Sequence, residues 1–142
     1  MKMIAFGSKE HEEEIKLRYK ILREPLGLHY TKEQLDAEIG EFHFGAFEKK
    51  TLLGCLLLKA VDKNEIKMRQ VAVDVQSQGK GVGKALVHFS ENFAVEKGFL
   101  LITLHARKSA VPFYKKLGYK IDGKEFTEVT LPHVAMKKQL IL

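Results

Sequence analysis

The residues most able to do chemistry lie between an apolar strand ending Val71-Ala72-Val73 and an amphipathic helix: Gln78-Gly79-Lys80-Gly81-Val82-Gly83-Lys84. Glycines at alternate positions, Gly79, Gly81 and Gly83, strip Cβ atoms from one side of the turn, so main-chain N–H groups there can approach a ligand closely. The first N–H groups of a helix have no intrahelical acceptor, and together with the helix dipole they favour an anion, typically a phosphate. Lys80 and Lys84 put positive charge at a helix start, where acidic residues are the usual preference. A bound anion would offset them.

Spacing excludes two common phosphate loops. A P-loop ending at Gly83-Lys84 needs glycine where Gln78 stands and Ser or Thr where Ala85 stands. The dinucleotide fingerprint started at Gly79 or at Gly81 meets Lys84 or Leu86 where Gly or Ala is required. What remains is Gln78-x-x-Gly81-x-Gly83 after an apolar strand. A second block, Ala110-Val111-Pro112-Phe113-Tyr114-Lys115-Lys116-Leu117-Gly118-Tyr119, sets an ionisable tyrosine on a short helix closed by glycine.

These two blocks need elements to hold them. Residues 2–6 read as an edge strand. Ser8 caps a first helix, with Glu10, Glu12, Glu13 and Glu14 loading its first turns, and Pro25 is expected to end it near Glu24. Thr31-x-x-Gln34 is a capping box opening a second short helix that ends at Gly40. Three strand-like runs follow, around Phe42 to Phe47, Leu52 to Lys59 and Ile66 to Val73, joined by the short turns Glu48-Lys49-Lys50 and Asp62-Lys63-Asn64 that imply antiparallel hairpins. The third helix is expected from near Lys80, with Val82, Leu86, Phe89 and Phe93 on one face and Gly98 as its stop. Residues 99–104 read as a buried strand without alternation, parallel to the strand before the helix. A fourth helix covers 108–117, with Pro112 confined to its first turn. Residues 119–121, 126–129 and 134–138 read as terminal strands, with Pro132 at an edge or in a loop. The order β-α-α-β-β-β-α-β-α-β-β defines an α+β domain with one mixed sheet.

At 142 residues the chain reads as a single domain over 1–142. A hydrophobic share of 45% and a charged share of 30% are those of a soluble globular protein. No apolar run reaches the roughly 18 residues of a membrane span. With no signal-peptide pattern after Met1, a cytoplasmic location is expected. The lone Cys55, inside an apolar run, excludes an internal disulfide and reads as a buried small hydrophobe. The net charge of +6 suits a polyanionic ligand; the lysines are dispersed and form no nucleic-acid-reading pattern, so no nucleic acid partner is expected.

The two blocks, in this order and separated by one helix and one strand, resemble the GNAT superfamily of acetyl-CoA-dependent N-acyltransferases. The glycine block is similar to their pyrophosphate loop, and the second block to their A-x-x-F-Y-x-x-L-G-F/Y segment. The resemblance covers the chain from about Phe42 onward; the N-terminal helices match in position only. It implies a GNAT-like mixed, mostly antiparallel sheet with a splayed parallel strand pair and flanking helices. It implies acetyl-CoA as donor, its pyrophosphate on the amides of Gln78, Gly79, Lys80, Gly81, Val82, Gly83 and Lys84, and its pantetheine along the backbone of Val71, Ala72 and Val73, with Phe113 also at the cofactor. A neutral primary amine, in a small molecule or a peptide, would attack the thioester directly. A backbone N–H near Val71 to Val73 would steady the developing oxyanion, and Tyr114 would give a proton to the departing thiolate. A homodimer through the terminal strands is the family-level expectation. No metal and no membrane are implied.

Three points stay open in the sequence. Arg107 stands where many members carry an asparagine, and it either reaches a phosphate or is solvated. The base that deprotonates the acceptor is unassigned: Lys67 occupies the position where some members place a glutamate, and Glu65, His43, His105, His133 or a water chain are the alternatives. Arg23, His29 and Tyr30 are candidate acceptor contacts or an ordinary exposed loop, and Arg69 faces either side of its strand. The rival to an enzyme is a non-catalytic acyl-CoA-binding or interaction module on the same fold.

Overall fold

A computed structural model of the chain describes residues 1–140. It has a mixed α+β fold whose open sheet is mostly antiparallel, with one parallel pair and flanking helices. The chain divides into two compact units. One holds Met1–Lys59 and Gln70–Ser90; the other holds Ala60–Arg69 and the chain from Glu91.

In the first unit, β1 (Lys2–Met3), β2 (Phe42–Glu48) and β3 (Thr51–Ala60) pair antiparallel in chain order, and β4 (Glu65–Val73) follows β3 in the sheet. The central leucines Leu56, Leu57 and Leu58 and Phe44 are fully buried, as an uninterrupted apolar run with cover on both faces requires. α1 (Lys9–Arg18) starts at Ser8, whose hydroxyl accepts the His11 N–H at 3.1 Å. The α geometry ends at Arg18, and Glu24, the expected stop, caps the π turn that follows. The chain widens into a π turn over Tyr19–Arg23 and a 3-10 turn over Glu24–Leu26, where Pro25 sits in the opening positions and its missing N–H removes no ladder bond. α2 (Lys32–Asp36) carries the full reciprocal capping box of Thr31 and Gln34. β1 is shorter than expected.

α3 (Val82–Glu96) begins two residues after Lys80, because Gly79 and Gly81 hold left-handed backbone that a right-handed helix does not contain. A Cβ on Gly54 would lie 3.0 Å from both Leu86 Cδ1 and Val82 Cγ1. The bare strand position lets the first turn of α3 seat directly on β3, which fixes where the preceding loop starts.

In the second unit, β4 runs parallel to β5 (Leu101–Arg107) only over Glu65–Met68 opposite Leu101–Leu104. β5 starts later than expected. Gly98 at φ +88° and the Phe99 N–H, bonded to the Ala94 carbonyl, close α3, and the Leu100 N–H goes to the Asn64 carbonyl. The strand also alternates after all. Ile102, Leu104 and Ala106 are buried and His105 is exposed, so only one face is covered. β8 (Leu131–Gln139) pairs antiparallel with β5, and both β6 (Lys120–Ile121) and β7 (Phe126–Glu128) pair with β8. Pro132 lies inside β8, beyond its last partner on β5, the pair Arg107–His133, so the missing N–H falls on the open side. α4 (Val111–Lys116) has Pro112 in its first turn and ends at Gly118 with φ +95°. No helix among the described residues is long and apolar enough to cross a membrane.

Candidate functional site

The glycine loop is open. Gly79 and Gly81 have φ of +78° and +84°, a left-handed conformation that costs an L-residue roughly 1–2 kcal/mol, and a Cβ at either position would meet nothing within 4 Å. Gly83 lies inside the first turn of α3. The helix ladder starts where the Ala85 N–H donates to the Gly81 carbonyl at 3.0 Å; the amides ahead of it belong to the turn that has no intrahelical acceptor. Lys80 and Lys84 are exposed. Open, amide-rich backbone flanked by two cations fits a diphosphate. The Gln78 side chain turns back, its Nε2 donating to the Val73 carbonyl at 3.0 Å, and Asp74 N–H goes to the Leu53 carbonyl at 2.8 Å, so the strand end is pinned. Ala72 is buried, with Val71 and Val73 half-buried beside it.

Upstream on β4, Gln70 adopts φ +55°, a strained conformation for a non-glycine residue inside a strand. The Tyr30 hydroxyl holds it, donating to Gln70 Oε1 at 2.6 Å. Tyr30 therefore has an internal task, as does His29, which stacks on Tyr19 with ring centroids 5.4 Å apart. Arg23 lies over the Tyr30 ring at 4.6 Å. Sequence reading missed the kink at Gln70; no residue type signals it.

Sequence reading also missed the polar centre of the first unit. Arg18 is fully buried; its guanidinium donates to Glu38 through two bonds of 2.8 and 2.9 Å and to Glu14 at 3.0 Å. His43 donates from Nε2 to the Glu38 carbonyl at 2.9 Å, and its Nδ1 meets the Glu14 carboxylate at 2.9 and 3.0 Å. Both partners accept, so both ring nitrogens carry protons and His43 is an imidazolium. Burial alone would lower its pKa; the hydrogen bond and charge of Glu14, aided by Glu38, outweigh this and hold it above the ordinary value. His43 is thus a structural cation and not the acceptor's base.

His11, Glu14 and His43 lie close enough to suggest a metal triad, their donor atoms falling within 4.8 Å of one another. The proton positions argue otherwise. His11 Nδ1 accepts the Gly7 N–H at 2.9 Å, which puts the ring proton on Nε2, and His43 Nδ1 is protonated toward Glu14. Neither nitrogen facing the centre offers a lone pair. Desolvation holds His11 below its ordinary value, hence neutral. The two histidines define opposite pH windows. With its folded pKa raised, His43 contributes stability fully present below its unfolded value of about 6.5 and lost as pH rises through the folded value. With its folded pKa lowered, His11 costs stability as pH falls below that same unfolded value. We expect unfolding midpoints measured across pH 5 to 9 to pass through a maximum, and His43→Asn to remove the alkaline decline; a decline unchanged in that variant would place the proton elsewhere.

Cys55 is fully buried in the first unit, and burial pushes its thiol well up, so it is inert.

In the second unit Tyr114 is 7% exposed, its ring edge-on to Phe113 and Tyr119 at 5.0 and 5.8 Å. Burial pushes its phenol up to about 12, so it is protonated at neutral pH. Phe113 is 37% exposed. The motif's last tyrosine, Tyr119, is an anchor: its hydroxyl donates to Glu91 at 2.8 Å, and Lys138 Nζ donates to both Glu91 oxygens at 3.1 Å and to the Leu117 carbonyl at 2.8 Å. That network fixes the end of α4 and so the backbone carrying Tyr114. Glu65 is the first residue of β4 and accepts the Thr103 hydroxyl at 2.9 Å. His133 is buried, its Nδ1 donating to the Leu131 carbonyl at 2.9 Å. His105 is exposed on β5, with Glu128 at 2.8 Å and Lys67 Nζ at 3.4 Å from Nδ1.

The family model for the acetyltransferase (GNAT) domain matches residues 9–140, so the chain belongs to the GNAT family. Among curated relatives, YyaT of Bacillus subtilis (strain 168) is 36% identical over 74 residues, covering 52% of this chain and 50% of YyaT. The streptothricin acetyltransferase of Escherichia coli is 29% identical over 96 residues, covering 65% of this chain and 55% of that enzyme. The chain thus spans about half the length of these curated relatives. Among solved structures, an aminoglycoside 6'-N-acetyltransferase complexed with coenzyme A superposes with a TM-score of 0.79 at 16% identity, covering 100% of this chain and 98% of that one. This likeness extends the fold match to the N-terminal helices.

Proposed function

We propose that the protein is an acetyl-CoA-dependent N-acetyltransferase that acts on a primary amine by direct attack. The observation that carries the reading is the open glycine loop, Gly79 and Gly81 in left-handed conformation ahead of α3. In this reading the amides of Gly79 to Lys84, with the charges of Lys80 and Lys84, hold the pyrophosphate, while the Gln78 N–H, expected to join them, is donated to the Val75 carbonyl at 3.4 Å. The backbone of Val71, Ala72 and Val73 runs beside the pantetheine, with Phe113 as an apolar contact, and an N–H of that strand faces the charge developing on the carbonyl oxygen. Acetyl-CoA, when bound, supplies an activated acetyl group. Tyr114 holds a proton for the departing sulfur. A structural neighbour complexed with coenzyme A and a relative named an acetyltransferase support the donor and the reaction class. The single buried cysteine suits a cytoplasmic setting.

Acetyl-CoA at about a hundred times its Kd should stabilise the protein by about 2.7 kcal/mol, read as a rise in thermal midpoint. No rise at any concentration up to the millimolar range would remove both the enzyme and the acyl-CoA-binding module.

A further inference from the structure

The candidates for the acceptor's base are separable by their surroundings. His43 has both ring nitrogens committed inside the core, and His133 is buried with one nitrogen on the Leu131 carbonyl. Glu65 is tied to Thr103. His105 differs from all three. It is exposed, and it is the first β5 residue past Leu104, where the parallel pairing with β4 ends. Its Nδ1 lies 2.8 Å from Glu128 Oε1 on β7, and the Phe126 ring lies edge-on to the imidazole at 4.9 Å. A carboxylate accepts, so Nδ1 is the nitrogen that carries a proton in either ring state, and Nε2 is the one left to take up and release a second. Lys67 Nζ at 3.4 Å competes for Nδ1 from the longer distance, and His133 Nε2 stands 3.9 Å from the other Glu128 oxygen.

We propose that His105 is the base that deprotonates the acceptor ammonium, with Glu128 as its positioning residue; this rests on the acetyltransferase reading. Nε2 takes one proton from the ammonium and passes it to solvent. The freed nitrogen lone pair bonds to the thioester carbonyl carbon, and the C–S bond breaks with its electron pair on sulfur. Sulfur takes the proton of Tyr114, and the second proton lost by the amine nitrogen restores that phenol. The sum is an acetamide, a thiol and one proton released. Such a base matters for acceptors that arrive as ammonium ions, as aliphatic amines do near neutral pH.

The test uses the full chain, acetyl-CoA and a panel of an aminoglycoside, a polyamine and a peptide with a free N-terminus. Thiol release is followed across pH 6 to 10, beside the thermal shift given by acetyl-CoA. His105→Gln should cut kcat/KM by about a hundredfold near neutral pH, recover partly as pH rises and the free amine accumulates, and keep the wild-type thermal shift. Glu128→Gln should move the acidic limb of the profile while losing less activity. A His105→Gln variant within twofold of wild type, with the same acidic limb, would overturn the assignment of the base alone. A wild type that binds acetyl-CoA yet releases no thiol with any amine would overturn the enzyme reading, and the base with it.

Discussion

Arg18→Ala will lower the unfolding free energy by about 3–5 kcal/mol, the cost of stripping a buried ion-pair cluster of its central cation. Arg18 is fully buried, and so is Glu14; Glu38 is 4% exposed. One guanidinium satisfies both carboxylates through three hydrogen bonds, the Tyr30 ring lies 4.8 Å from its central carbon, and the charges of the set cancel once His43 is counted as a cation. The Glu38 pair raises the Arg18 pKa against the opposing effect of burial, so the charge is never given up. Alanine leaves two carboxylates with one imidazolium between them in a site water does not reach. A loss of this size is a large share of the 5–15 kcal/mol typical of a domain. Urea denaturation of both proteins gives the difference. A loss below about 1 kcal/mol would mean that the cluster opens to solvent, and the imidazolium assignment of His43 would fall too. Replacing the set with apolar residues is a different experiment, because it removes the buried charges and not merely their partner.

Tyr114→Phe will lower kcat by about a hundredfold while acetyl-CoA binding stays within twofold, as expected for one general acid. The phenylalanine ring keeps the packing against Phe113 and Tyr119, so the change is confined to one hydroxyl. A phenol pushed up to about 12 yields its proton only as charge gathers on sulfur, which places the effect on the chemical step and not on binding. Steady-state thiol release and the acetyl-CoA thermal shift, measured on the same preparations, separate the two. Equal loss of both would make Tyr114 a packing residue.

The parts of this protein that were legible in the sequence are those governed by local rules. The Thr31–Gln34 capping box, the Ser8 cap, the hairpins around Lys49 and Lys63, and the stops at Gly98 and Gly118 follow from side-chain chemistry within a few residues. The two blocks bearing the candidate site stood out because glycine spacing and a helix-ending Leu-Gly-Tyr are themselves local. What could not be read depends on partners distant in the chain. Arg18 meets Glu38 twenty residues on, and His43 meets Glu14 across 29 residues. The i,i+4 spacing of Glu14 and Arg18 was a visible signal, but it describes surface pairs as well as buried ones. The pairing of His105 with Glu128 spans β5 to β7, so its register had to be seen before one histidine could be told from the others. The start of β5 was misplaced because Phe99 and Leu100 are as strand-like as their successors; the backbone bonds that close α3 decide it.

Transfer itself is the most direct measurement. Purified protein, acetyl-CoA and the amine panel are incubated together, and free thiol is quantified beside the acetylated amine by mass spectrometry. The two are expected in equal amounts, with at least one aliphatic amine. Protein that shows the acetyl-CoA thermal shift but forms neither product would contradict the enzyme reading, and would make the fold a carrier of the cofactor and not a catalyst.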